Sequence, residues 1–137
     1  MPELLRTVIA VDKNLEAGAV ANASAVVMGQ LARLNAEIYA DDVHDADGAL
    51  HAGIRFNTVI LSGRSSHLLL LAEAARAEGL RPVLFGTRGQ ELSNRFDDYR
   101  AMCAESPTSD LGVCAVGVTG EHEHIRTLTK RFSVYKG

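Results

Sequence analysis

The sequence predicts a single α/β domain, three layers deep, with a mixed sheet of about four strands between helices. Three observations carry this. Leu5, Val8, Ile9, Ala10 and Val11 form a near-continuous apolar run, the pattern of a strand covered on both faces. Apolar residues at Val20, Val27, Leu31, Leu34 and Ile38 come after it at helical spacing. The middle of the chain then reads strand, helix, strand over short connections, which implies a parallel pair and a right-handed crossover. At 137 residues, the chain is expected to be one domain, residues 1–137. A domain of this size buries roughly two-thirds of its unfolded surface without help from disulfides or a metal.

The first strand spans Leu5–Asp12 and ends on Asp12-Lys13-Asn14. Gly18 supplies a turn conformation within Lys13–Ala19 that other residues resist. The helix then occupies Val20–Leu34, and its small residues, among them Ala23, Ser24 and Gly29, let it lie close on the sheet. Asp45-Ala46-Asp47-Gly48 is the tip of a small hairpin, because Asp-Gly favours tight turns, and His44 and His51 flank it, placed to face each other. Phe56–Leu61 is a second core strand, and a helix runs from His67 to about Glu78. Ser65 or Ser66 serves as its N-cap and Gly79 as its C-terminal cap. Arg81–Phe85 is the third strand and Gly86–Gln90 the loop beyond it. Asn94–Ala104 is a helix with Phe96, Tyr99 and Met102 on its apolar side, broken at Ser106-Pro107. Leu111–Val118 is a fourth strand. Thr119 caps a helix of about Glu121–Lys130, and Phe132–Tyr135 is a brief last strand.

Composition removes several function classes. Apolar residues make up 47% and charged ones 23%, ordinary for a globular protein. An aromatic share of 5% with no Trp argues against a stacking platform for single-stranded nucleic acid. A net charge of −3 gives no broad basic footprint for DNA or RNA. Cys103 and Cys114 are too few for a disulfide framework and fit a reduced, cytoplasmic setting, one thiol on a helix and one in the core. The start, Met1 to Arg6, has no long apolar core and does not resemble a signal peptide, and the apolar runs fall short of a membrane span.

Polar loops at strand C-terminal ends hold the candidate site. In open α/β sheets the ligand crevice lies outside those ends. Asp12, Lys13, Thr87 and Gln90 fall there, and Asn22 sits in the first turn of the first helix, facing the strand end or satisfying backbone groups. These five residues form the candidate pocket for a small molecule, with Lys13 as its cation. Gly63-Arg64-Ser65-Ser66-His67 joins a strand to a helix N-terminus, which attracts anions. Arg64, Ser65 and Ser66 are therefore a second candidate, against plain capping. The stretch lacks the spacing of a P-loop or a nucleophile elbow.

Other suggestive pairs dissolve on geometry. Ser66 and His67 are neighbours on a helix and point about 100° apart, so they do not form a nucleophile and base. His122 and His124 lie two apart and point to opposite sides of a helix, and His44 with His51 supplies too few ligands for a metal. Asp97 and Asp98 suit the first turn of a helix through its dipole. No metal or cofactor is expected. Leu68 to Leu71 are four consecutive leucines that one helix face cannot bury together, which predicts a homodimer.

The turn Asn14-Leu15-Glu16-Ala17-Gly18 after the first strand, the run Val59-Ile60-Leu61-Ser62, the helix Leu71 to Leu80 and the terminal Ile125 to Lys130 resemble the archaeal/eukaryotic-type (type II) peptidyl-tRNA hydrolase fold. Val11-Asp12-Lys13-Asn14-Leu15 with Ala21-Asn22-Ala23, and Asn94 to Arg100, are more similar to a bacterial family of unknown function that shares this fold. The resemblance covers most of the chain and implies a hydrolase-II-like sandwich. The hydrolase pattern has a Gly-Lys pair entering the first helix, where this chain has Gly18-Ala19-Val20-Ala21. The hydrolase loop after the third strand carries an Asp and then a Thr, where this chain has Gly86-Thr87-Arg88-Gly89-Gln90-Glu91. The expected function is small-ligand binding, or an enzyme of unassigned chemistry, at the strand ends. Hydrolysis of peptidyl-tRNA or a related ester, and a non-catalytic oligomeric interaction role, are the alternatives.

Overall fold

A computed structural model describes residues 4–137. In chain order the elements are β1 (Leu5–Asp12), α1 (Ala17–Leu34), β2 (Val43–His44), β3 (Leu50–His51), β4 (Thr58–Gly63), α2 (Ser65–Ala77) and β5 (Val83–Gly86). After these come α3 (Thr87–Gln90), α4 (Phe96–Glu105), β6 (Val113–Glu121), α5 (His122–Leu128) and β7 (Ser133–Val134). The main sheet has five strands in the order β5-β6-β1-β4-β7, one more than expected. The fifth is the expected brief terminal strand, which joins the sheet by pairing antiparallel with β4 at the edge. β1 is central, parallel to β4 and antiparallel to β6. The expected pairing of β4 with β5 does not occur. They run in the same direction, but β1 and β6 lie between them.

Alternation along β1 explains its apolar run. Val8 and Ala10 pack with Leu68, Leu71 and Ile125 of α2 and α5. Ile9 and Val11 pack with Val20, Val27 and Leu31 of α1. Both faces of the strand are thus covered by helix, as a continuous hydrophobic strand requires. The buried stripe of α1 (Val20, Ala23, Val27, Leu31) repeats every three to four residues. The helix begins three residues earlier than the apolar spacing suggests. Gly18 lies inside its first turn and is not one of the positive-φ glycines, so it makes no turn.

The helix ends separate sound expectations from unsound ones. Gly79 has φ of 82°. Its N–H donates to Arg76 O and that of Leu80 to Ala75 O, a Schellman cap closed by glycine. At the other end of α2, Arg64 is the N-cap residue with extended backbone, and it makes no side-chain cap bond. Ser65 and Ser66 fall inside the helix and do not cap it. Thr119 does not cap α5 either. It lies in β6, buried, with its hydroxyl 2.8 Å from that of Thr7 on β1. Glu121 takes the cap, its carboxylate accepting from the N–H groups of Glu123 and His124 at 3.0 and 2.9 Å. Those donors hold its carboxyl below the ordinary glutamate range.

The hairpin forms at the expected tip, with Gly48 at φ of 87°. Val43 pairs with His51 and His44 with Leu50, so the two histidines occupy opposite faces and do not meet. His51 Nε2 instead lies 2.7 Å from Asp45 Oδ2, and with the Ala49 and Asp47 N–H groups it lowers the carboxyl pKa of Asp45. In α4, Tyr99 and Met102 are half-buried but Phe96 is 60% exposed. The expected apolar side is therefore only partly used by the core. Among the described residues no helix is long and apolar enough to cross a membrane.

Candidate functional site

β1, β4 and β5 all point the same way, so their C-terminal ends share one side of the sheet. The exit from β5 shapes the site there. Phe85 pairs with Ala115 and Gly86 with Val113, which leaves Cys114 as an extra residue on β6. Such a bulge bends a strand and re-aims the chain beyond it. The chain turns directly into α3 with the Thr87 N–H bonded to Gly112 O at 2.9 Å. The stretch expected as a loop is this short helix. Burial, and then the nearby charge of Asp12, push the Cys114 thiol up.

α3 brings Gln90 to the first turns of α1. Its side-chain N–H donates to Ala19 O at 3.2 Å and to Asn22 Oδ1 at 3.3 Å. A cavity of about 360 Å³ opens beside this pair. Val26 of α1, Phe85 of β5, and Leu92, Phe96 and Tyr99 line it with apolar surface. Gly89 is buried between the Phe85 and Tyr99 rings, whose centroids lie 6.2 Å apart. A Cβ there would come within 2.7 Å of Tyr99 Cε1 and 3.0 Å of Phe85 Cε1. Only glycine lets α3 lie this close to both rings. Asn94, at φ of 66°, turns the chain into α4, a left-handed conformation that Asn tolerates. Arg95 at the rim is held by Asp98, 2.8 Å away. Burial first, then neighbouring Cys103, push the Tyr99 phenol up.

The five candidate residues divide. Asn22 and Gln90 meet at the cavity. Thr87 is on the same short helix but packs at Gly112 and does not line the cavity. Asp12 Oδ1 accepts from the Asn14 N–H at 2.9 Å in a local turn. Lys13 lines a separate cleft with Ser62 and Lys136. Arg64, Ser65 and Ser66 are exposed at the start of α2, and among the described residues their side chains make no hydrogen bond. Residues outside the expectation supply the apolar wall. Val26 could have been found, since it is a β-branched apolar residue off the helical spacing of Val20, Val27 and Leu31, and it is 45% exposed in the structure.

The arrangement offers hydrogen-bond donors, acceptors and apolar surface. Its lining contains no His, Cys or carboxylate, and among the described residues no group of three His, Cys, Asp or Glu side chains could hold a metal. A pocket of this kind, concave, mostly apolar and edged by a few polar groups, suits a small organic ligand.

The fold and the strand-end pocket define an α/β protein with a mixed sheet. The chain belongs to the family described as protein of unknown function DUF2000, whose pattern matches residues 5–136. No curated protein matches it in sequence. A solved structure from Agrobacterium tumefaciens, of a protein of unknown function, superposes with a TM-score of 0.86 at 12% identity, covering 99% of this chain and 100% of that one. At that identity the likeness is one of fold.

Proposed function

We propose that the protein binds a small, uncharged, largely apolar molecule in the cavity between α1, α3 and α4. One observation carries this reading: the Asn22–Gln90 amide pair opens onto a wall of Val26, Phe85, Phe96 and Tyr99. A flat ring would stack on the aromatic wall while the amides take its polar edge. The expected result with benzamide and nicotinamide as probes is saturable binding that shifts the backbone NMR signals of Gln90 and Tyr99. Asn22→Ala combined with Gln90→Ala loses two hydrogen bonds worth about 1 kcal/mol each, and so weakens binding at least tenfold. Unchanged binding in that variant, or shifts mapping elsewhere, sinks the reading.

A type II peptidyl-tRNA hydrolase kind of fold is proposed on the element order and the helices on both faces of the sheet. The hydrolase activity gains less support, because Lys13 lines a different cleft from Asn22 and Gln90. A homodimer is proposed from the leucine run. Leu68 and Leu71 are buried while Leu70 is 50% exposed, beside Leu128 and Phe132. Light scattering is expected to give the mass of two chains, and Leu70→Asp the mass of one. A monomeric parent protein removes the proposal.

A further inference from the structure

We infer that the cleft between the ends of β1, β4 and β7 is an anion site for a phosphate monoester, separate from the apolar cavity. The site is built by register. Val11, Ser62 and Ser133 stand in one row across β1, β4 and β7. Paired residues of neighbouring strands share a face, and Val11 packs in the α1-side core. Both serine hydroxyls therefore face the α1 side of the sheet.

α1 lies over β1, β6 and β5, so this end of the β4–β7 pair is left open on that face. The opening is a cleft of about 510 Å³. Lys13 enters it directly after β1, with its own N–H fastened to Gly63 O at 2.9 Å. Lys136 enters from the other side, one residue past Tyr135, whose N–H is bonded to Ile60 O at 2.9 Å. Both lysines thus hang from backbone anchored to β4.

Lys13, Lys136, Ser62 and Ser133 line this one cleft together with Gly137, and none of the lining side chains is a carboxylate. The nearest acids in sequence, Asp12 and Glu16, lie outside the lining, and Asp12 is engaged by the Asn14 N–H. Among the described residues neither lysine is paired with a carboxylate, and neither Ser62 nor Ser133 has a side-chain hydrogen bond. In a chain of net charge −3 this is a local reversal of sign. Ammonium groups paired with hydroxyl donors are the chemistry of phosphate oxygens.

The test is a titration of the full chain with glycerol phosphate, read by amide NMR and calorimetry. The expected result is saturable binding with the largest shifts at Lys13, Ser62, Ser133 and Lys136, weakening as salt is raised. Lys13→Ala with Lys136→Ala reduces affinity at least tenfold. Ser62→Ala with Ser133→Ala reduces it while leaving the fold intact, because Ala fits wherever Ser does. Three outcomes overturn the inference: no saturable binding, undiminished affinity in the double-lysine variant, or shifts gathered at Arg64 to Ser66, which would place the anion on α2. None of these bears on the apolar cavity, whose probes are uncharged.

Discussion

Gly86→Ala is expected to cost about 2 kcal/mol of stability and to dislodge α3 from α1. Gly86 has an ordinary extended backbone, so conformational freedom is not the reason glycine is there. Space is the reason. An added Cβ would run into the carbonyl oxygen of Leu111, and backbone cannot swing aside as a side-chain tip can. The chain would relieve the clash by opening the bulge at Cys114. That bulge aims Thr87 into α3 and so sets the reach of Gln90. Chemical denaturation should show the loss of stability. The NMR signals of Asn22 and Ala19 should move even though neither touches residue 86. If they stay in place, the bulge does not position Gln90.

Leu31→Ala is expected to have the larger thermodynamic effect, about 3 kcal/mol or more, and roughly 10 °C in melting temperature. Leu31 is fully buried and packs over Gly117 of β6, where an added Cβ would meet its side chain at 2.6 Å. The central strands lie under α1 with no room to collapse, so truncation leaves a cavity. A loss below about 1 kcal/mol would show that the helix resettles onto the sheet.

The parts of the fold that were legible are those where local chemistry and tertiary structure agree. The run from Leu5 to Val11 is strand because both faces are covered. Gly79 closes α2 because nothing else takes that φ so cheaply. Sequence reasoning failed where two residues could play one part. Thr119 is a good cap by type, yet its hydroxyl is spent on Thr7, more than a hundred residues away in the chain. Ser65 and Ser66 missed the cap of α2 because the extended backbone ends one residue sooner, at Arg64.

At the site, the meeting of Asn22 and Gln90 could be anticipated from strand-end geometry. The separation of Lys13 could not, because it depends on sheet order. β5 lies two strands from β1, and β7, invisible as a partner in the sequence, closes the cleft on the other side. The apolar wall escaped for a related reason. Phe96 reads as a core residue of α4, but α4 has no fully buried residue, and its ring is left facing the cavity.

The pairing of β1 with β6 sets the order in which the molecule can be made. Leu5 lies opposite Glu121 and Val11 opposite Ala115. β1 therefore waits for more than a hundred further residues before its antiparallel neighbour exists. Until then β1 can pair only with β4, and the surface beneath α1 lacks Cys114, Ala115 and Gly117. Long-range pairings of this kind slow folding and expose apolar edges in the interval. A nascent chain ending anywhere before β6 holds an unfinished sheet, so it is the synthesis of β6 that commits it.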